Sequence, residues 1–159
     1  PADLSASERA LAEEIFRLMV KDAEVRVRQA LTENLKQNGN VPHDVAVALA
    51  NDVDQVALPM IEFSQVLNDA DLMTIIGSQN PARQEAVAGR AQVSEALSEA
   101  LVETGNEAAV TRLVSNEGAA ISEQTFQKVV DDFGDRAGVQ TAMVNRSSLP
   151  ACPPCAASR

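Results

Sequence analysis

Few residues in this chain could do chemistry, and each has a plainer use. His43 is the single histidine and follows Pro42. Without a second histidine it cannot begin an imidazole metal site, and a general base needs a nucleophile and an orienting acid beside it. Asp44 is adjacent, but adjacency supplies neither, so His43 reads as an exposed first-turn residue. Two acidic pairs, Asp52 with Asp54 and Asp69 with Asp71, are what a metal site would use. An EF-type calcium loop needs glycine at its sixth position and a bidentate acid at its twelfth. Counted from Asp69 those places hold Thr74 and Asn80, and counted from Asp52 they hold Ala57 and Phe63. The carboxylates are better assigned to helix N-termini, where they accept free N–H groups and oppose the helix dipole.

The only cysteines form Cys152-Pro153-Pro154-Cys155. A C-x-x-C pair works in redox chemistry where it opens a helix beside a βαβ unit. Here two prolines fill the gap and no strand precedes it, so residues 151–159 read as a tail. Glycine-rich phosphate loops and the G-x-S-x-G elbow are absent from the sequence. The expectation is a protein with no catalytic residue, no metal ligand and no cofactor. The arginines recur instead: Arg26 and Arg28, Arg83 and Arg90, then Arg112, Arg136 and Arg146. They are expected to pair with acids of a neighbouring repeat; the functional alternative is a row that holds a partner segment.

Composition narrows the classes. The 159 residues carry 13 Lys plus Arg against 23 Asp plus Glu, a net charge of −10. That balance argues against nucleic acid, whose phosphates need a basic surface. No apolar run approaches the roughly 18 residues of a membrane-spanning helix. Aromatic residues are 3% of the chain, so Ala, Val and Leu must build the core. The opening Pro1-Ala2-Asp3-Leu4 shows no basic-then-apolar signal pattern. Residues 1–151 contain no cysteine, which fits a reducing, cytoplasmic setting.

The elements that must position these residues are helical throughout. Leu11, Ile15 and Leu18 form one apolar stripe; Val93, Leu97 and Leu101 form another; Phe126, Val129, Val130 and Phe133 form a third. Such stripes need a partner surface. Gly39, Gly77, Gly105 and Gly134 close periodic stretches, Gly39 as a helix C′ residue, and Asn80 precedes Pro81 as a natural N-cap. Ser7, Asp22, Asp52, Asp69, Ser94, Asn106, Ser122 and Asp135 are further cap or first-turn candidates. The spacing predicts ten helices, near 6–20, 22–37, 42–50, 52–66, 69–77, 81–90, 93–104, 106–115, 122–133 and 135–146.

A period organises them. Val27-Arg28-Gln29-Ala30-Leu31 returns as Val56-Ala57-Leu58-Pro59-Met60, and the segment Val110 to Asn116 returns as Val139 to Asn145, both 29 residues on. The stretch Ala82 to Ala88 occupies the slot between. A single short hairpin cannot bury its apolar face, but stacked neighbours can. The expected fold is all-α, a HEAT- or armadillo-like α-solenoid of about five short hairpins. It would form one helical-repeat domain over residues 1–150.

The ordered series Leu67-Asn68-Asp69-Ala70-Asp71-Leu72, Ile75-Ile76, Ala86-Val87-Ala88-Gly89-Arg90 and Val93 to Val102 resembles a bacterial family of HEAT-like repeat proteins. Ala119-Ala120-Ile121-Ser122 and Val144-Asn145-Arg146-Ser147-Ser148-Leu149-Pro150 continue the resemblance, which spans roughly residues 20–150. The family is classed as a domain of unknown function, number 2336. The resemblance implies a helical-repeat fold and no activity. Members usually continue past the Leu-Pro with another helical unit, whereas here Ala151-Cys152-Pro153-Pro154-Cys155 follows and propagates a helix poorly.

The functional expectation is a non-enzymatic module that binds another protein, a basic one given the acidic balance, and binds neither nucleic acid nor membrane. Its groove is placed on the second helices, around Arg28, Glu62, Arg83, Arg90 and Arg112. The alternative is a regulatory or sensory domain that takes a small ligand between repeats, in a pocket lined by Phe16, Phe63 or Met60. The last apolar helix has no later repeat to cover it, so a homodimer or a docked tail is expected there.

Overall fold

The computed structural model describes residues 5–22 and 24–146. Cys152, Cys155 and the rest of the 151–159 tail lie outside the described residues. Among those described there are ten α-helices: α1 (Ala6–Asp22), α2 (Val25–Leu35), α3 (His43–Ala50), α4 (Asp54–Phe63), α5 (Asp69–Gly77), α6 (Pro81–Ala88), α7 (Glu95–Glu103), α8 (Glu107–Ser115), α9 (Glu123–Phe133) and α10 (Ala137–Asn145). None of these is long and apolar enough to cross a membrane. The fold is all-helical, as its periodicity implies; the one extended contact among the described residues is an isolated parallel bridge between Val93 and Ala119.

The helices start where short polar side chains can accept free backbone N–H groups. Asn80 accepts from Ala82 and Arg83 at the head of α6, and Asn106 accepts from Ala108 and Ala109 at the head of α8. Ser94 caps α7 through Leu97, and Ser122 caps α9 through Thr125. Asparagine thus opens α6 and α8 while serine opens α7 and α9. Other starts differ from expectation. Ser7 falls in the first turn of α1 as expected, but the cap is Ser5, which is not among the expected candidates: Ser5 N–H donates to Glu8 and Glu8 N–H donates back to Ser5 Oγ, a reciprocal box. Asp52 and Asp135 sit one residue before the N-cap positions, Val53 and Arg136, neither of which makes a side-chain cap bond. Gly39 is not the C′ residue of α2, because that helix ends at Leu35 with Lys36 as its C-cap. The left-handed backbone falls at Gly105, with φ 73°, after α7, and at Gln79, with φ 56°, after α5.

The chain divides after Asp71 into two compact units. In the first, α1 packs on α2 and α3, α2 packs on α4, and α3 packs on α4. Leu49, Ala50, Val56, Ala57, Met60 and Ile61 are wholly buried there. In the second, α6 packs on α8 and α8 on α10, while α7 packs on α9. Val87, Leu101, Val110, Leu113, Val114, Val129 and Val139 fill its core. Each unit therefore places every second helix side by side, the arrangement by which short amphipathic hairpins cover one another's apolar faces. The 29-residue sequence echoes fall on packed partners, α2 with α4 and α8 with α10.

Two loops of the second unit come close enough to demand glycine at position 118. Val93 N–H donates to the Gly118 carbonyl at 3.3 Å, and Ala120 N–H donates to the Val93 carbonyl at 2.9 Å. A Cβ on Gly118 would collide with the Ala91 carbonyl oxygen. Twenty-nine residues earlier, a Cβ on Gly89 would collide with the Arg112 guanidinium. At Gly118 the neighbour is backbone and cannot give way, whereas at Gly89 it is the far end of a side chain that can move.

Candidate functional site

The charged side chains of the structure form a ladder set by the repeat. Arg17 in α1 donates through Nε to Asp44 Oδ2 in α3 at 2.7 Å. Arg28 in α2 grips Asp52, which leads into α4, with its Nε on Oδ2 and its Nη2 on Oδ1 at 2.9 Å. His43 Nε2 lies 2.8 Å from Asp71 Oδ2. In the second unit Lys128 of α9 reaches Glu103 of α7 at 3.1 Å, Arg112 of α8 reaches Glu85 of α6 at 3.7 Å, and Arg136 reaches Glu107 of α8 at 3.7 Å. All six pairs join positions 24 to 29 residues apart, one repeat length. Of the arginines expected to pair with acids of a neighbouring repeat, Arg28, Arg112 and Arg136 do so in this set, and Arg17, His43 and Lys128 add pairs of similar spacing.

Their settings differ. The Arg28 and Asp52 side chains are only 17% and 13% exposed, and the grip is bidentate. The Asp52 hydrogen bond keeps the Arg28 guanidinium even more firmly protonated than usual. Arg112 and Glu85 are 40% and 45% exposed, and Arg136 and Glu107 61% and 51%. Arg17 holds the Asp44 carboxyl below the ordinary aspartate range, chiefly by its hydrogen bond, against an opposing effect of burial.

The acids that a metal site would use are occupied in helix starts. Asp71 N–H donates to Asn68 Oδ1 at 3.0 Å, and Asn68 N–H donates back to Asp71 Oδ2 at 3.0 Å, closing the first turn of α5. Asp52 accepts from Val53 N–H besides holding Arg28. Asp54 and Asp69 are the first residues of α4 and α5. Among the described residues no three His, Cys, Asp or Glu side chains gather as metal ligands would.

The residues expected to form a partner groove fall as follows. Arg28 on α2 and Glu62 on α4 belong to the first unit, and Arg28 is held by Asp52. Arg83 on α6, Arg90 just beyond it and Arg112 on α8 belong to the second unit. Glu62, Arg83 and Arg90 are half-buried, and each takes part in an interaction of its own. Arg112 lies over the Gly89 backbone, so the α6–α8 pair brings it beside the segment that carries Arg90. Of the residues expected to line a ligand pocket, Met60 is wholly buried and Phe63 lies under Lys36, whose Nζ is 4.8 Å from the ring centre.

Sequence reasoning missed a second set of ties, from side chains to backbone carbonyls of the preceding repeat. Asn116 Nδ2 donates to the carbonyls of Ala88 at 2.9 Å and Arg90 at 2.7 Å, where α6 ends. Arg146, 9% exposed, donates to the carbonyls of Val114, Asn116 and Ala119 at 3.0, 3.1 and 2.7 Å, where α8 ends. These bonds satisfy orphan carbonyls that a helix leaves at its C-terminus. Asn106, besides capping α8, donates to the Pro81 carbonyl and to Gln84 Oε1 of α6. The 29-residue recurrence of Gly89 in Gly118 is the sequence signal that marks these junctions.

Hairpins stacked one repeat apart, stapled by ion pairs and by side-chain-to-carbonyl bonds, define an all-helical protein of repeating construction within each unit. The chain belongs to a family of uncharacterised proteins conserved in bacteria (DUF2336), whose family model matches residues 56–152. No curated protein and no solved structure matched.

Proposed function

We propose that the chain is a non-enzymatic helical-repeat module that binds another protein, and that it works in the cytoplasm. The observation that carries this reading is the open ladder on α6, α8 and the lead into α10. Arg112–Glu85 and Arg136–Glu107 are long, half-exposed contacts. Pairs of that kind typically contribute under about 1 kcal/mol. A partner's charges can therefore replace them at little cost, whereas the enclosed Arg28–Asp52 grip belongs to the scaffold. The chain's net charge of −10 favours a basic partner, steered electrostatically and released by salt. The lack of cysteine over residues 1–151 supports the cytoplasmic setting.

The test compares two baits in lysate pull-downs at low and moderate salt: wild type and a variant carrying Arg112→Glu with Glu107→Lys. The expected result is a protein retained by wild type at low salt, shed at moderate salt and absent from the variant, while both baits melt alike. Equal retention by both baits overturns the placement on this ladder, and a wild-type bait that retains nothing overturns the role itself.

The ligand-binding alternative has two clefts in its favour. A cleft of about 250 Å³ lies between α8 and α10, lined by Ser115, Thr141, Asn145 and Arg146 among others. It is smaller than the roughly 300–1,000 Å³ of ordinary small-molecule sites, and the second, of about 470 Å³ between Val102, Glu103, Gly105, Lys128, Asp132 and Phe133, is a more open hollow with three charged residues in its lining, which is why protein binding ranks first.

A further inference from the structure

Helix α1 touches α2 and α3, yet none of its described side chains is fully buried. Leu11, Ile15 and Leu18 are 60%, 46% and 57% exposed. Spacings of four and three place them in one stripe along the helix, while the half-buried residues Phe16 and Val20 lie on the far side. Three large aliphatic side chains in a row facing water lose the free energy that covering them would return.

The edges of the stripe say what covers it. With Leu11 and Leu18 at d and Ile15 at a of a heptad, Glu14 and Lys21 occupy g positions along one edge, and Ala12 and Met19 occupy e positions along the other. Glu14 and Lys21 are exposed, and neither makes an ion pair among the described residues. Opposite charges seven residues apart on one edge are complementary to the same edge run backwards. In a parallel pair of α1 helices, g faces e, and Glu14 and Lys21 would meet Ala12 and Met19. In an antiparallel pair, g faces g and e faces e.

We infer that α1 is a self-association helix that pairs antiparallel with α1 of a second copy of this chain. Ile15 layers against the partner's Leu18, and Leu18 against the partner's Ile15. That register sets Glu14 against the partner's Lys21 twice over, by two-fold symmetry, and Ala12 against the partner's Met19. An isologous contact of this kind closes on itself and stops at two copies. The inference stands apart from the binding role above, since it needs no other protein.

Sedimentation equilibrium of the full chain across a concentration series tests it. The expected mass rises from the 16.9 kDa of one chain to twice that value. Ile15→Glu, at a half-exposed site, should hold the chain at the single mass without lowering its helicity or melting temperature. Glu14→Lys alone and Lys21→Glu alone should each weaken the dimer by about tenfold. Together they should restore it, because the swapped edges are again complementary. A wild-type chain that stays monomeric overturns the inference and assigns the stripe to a different molecule. A dimer that Ile15→Glu leaves intact overturns it too, and single charge changes without effect, or a double change that fails to restore, overturn the antiparallel register.

Discussion

Thr32 is wholly buried in α2, and its hydroxyl is the one buried side-chain polar atom among the described residues with no hydrogen-bond partner. A hydroxyl taken from water and left unpaired costs free energy that a methyl group of the same shape does not. Thr32→Val keeps the branched shape and should raise stability by about 1 kcal/mol, read as a higher urea midpoint with unchanged slope. A lower midpoint would mean that the hydroxyl is satisfied in solution. The Arg17–Asp44 pair predicts a pH effect of definite sign. Asp44 is held below the ordinary aspartate range by the Arg17 hydrogen bond, so its carboxyl is easier to ionise in the folded chain than in the unfolded one. Its contribution is complete above the ordinary aspartate range and is lost as pH falls through the depressed folded-state value. Asp44→Asn should therefore be less stable than wild type near neutral pH, with the gap closing below about pH 4. Both side chains are about half exposed, at 48% and 58%, so added salt should shrink the same gap. Parallel acid titrations of the two proteins check the sign.

The caps differ in what else they hold. Ser94 accepts one N–H at the head of α7, at 3.4 Å. Asn106 accepts from two N–H groups at the head of α8 and also donates to the Pro81 carbonyl and Gln84 Oε1. Loss of an ordinary cap costs about 1 kcal/mol. Asn106→Ala should cost about 2 kcal/mol or more, because it also leaves the Gln84 amide oxygen of the part-buried pair without its donor. Ser94→Ala should stay near the ordinary value, and equal losses in urea melts of the two would show that the inter-helix bonds add nothing. Elements of this kind were legible beforehand. Apolar spacing and polar punctuation place all ten helices within three residues of their ends, because both signals are local. The ion-pair ladder was legible in outline from arginines recurring near the repeated helices. The carbonyl ties of Asn116 and Arg146 were not. They depend on where one helix's C-terminus comes to rest against the next repeat, roughly 30 residues away, and the recurrence of Gly89 in Gly118 marks the place without naming the side chain that reaches it. The exposure of Leu11, Ile15 and Leu18 was equally hidden: the stripe shows that a partner surface is needed, but not that α2 and α3 would leave it uncovered.

A core without tryptophan or tyrosine must draw its cohesion from many aliphatic contacts of similar size, and in a repeat those contacts run between neighbouring hairpins. Stability is then close to a sum of nearest-neighbour terms, so damage to one interface spreads along its own row before it spreads further. Leu113 is wholly buried in α8, which packs on both α6 and α10, and so occupies the middle of the second unit's row. Leu113→Ala should cost about 2–5 kcal/mol, from lost transfer energy plus the cavity left behind. Amide hydrogen exchange should show where that cost lands. Protection should fall across α6, α8 and α10, including the amides that cap α8, while α2, α3 and α4 keep their wild-type rates. The contrast follows from the contact pattern within each unit: the Leu113 side chain supports the row on which Asn106, Asn116 and Arg146 act, and the cores of α3 and α4 are built from Leu49, Val56, Met60 and Ile61. Equal loss of protection in α2 to α4 would mean that the whole chain unfolds as one cooperative body. The open ladder on α6 and α8 would then have to be treated as coupled to every hairpin, not to its own row alone.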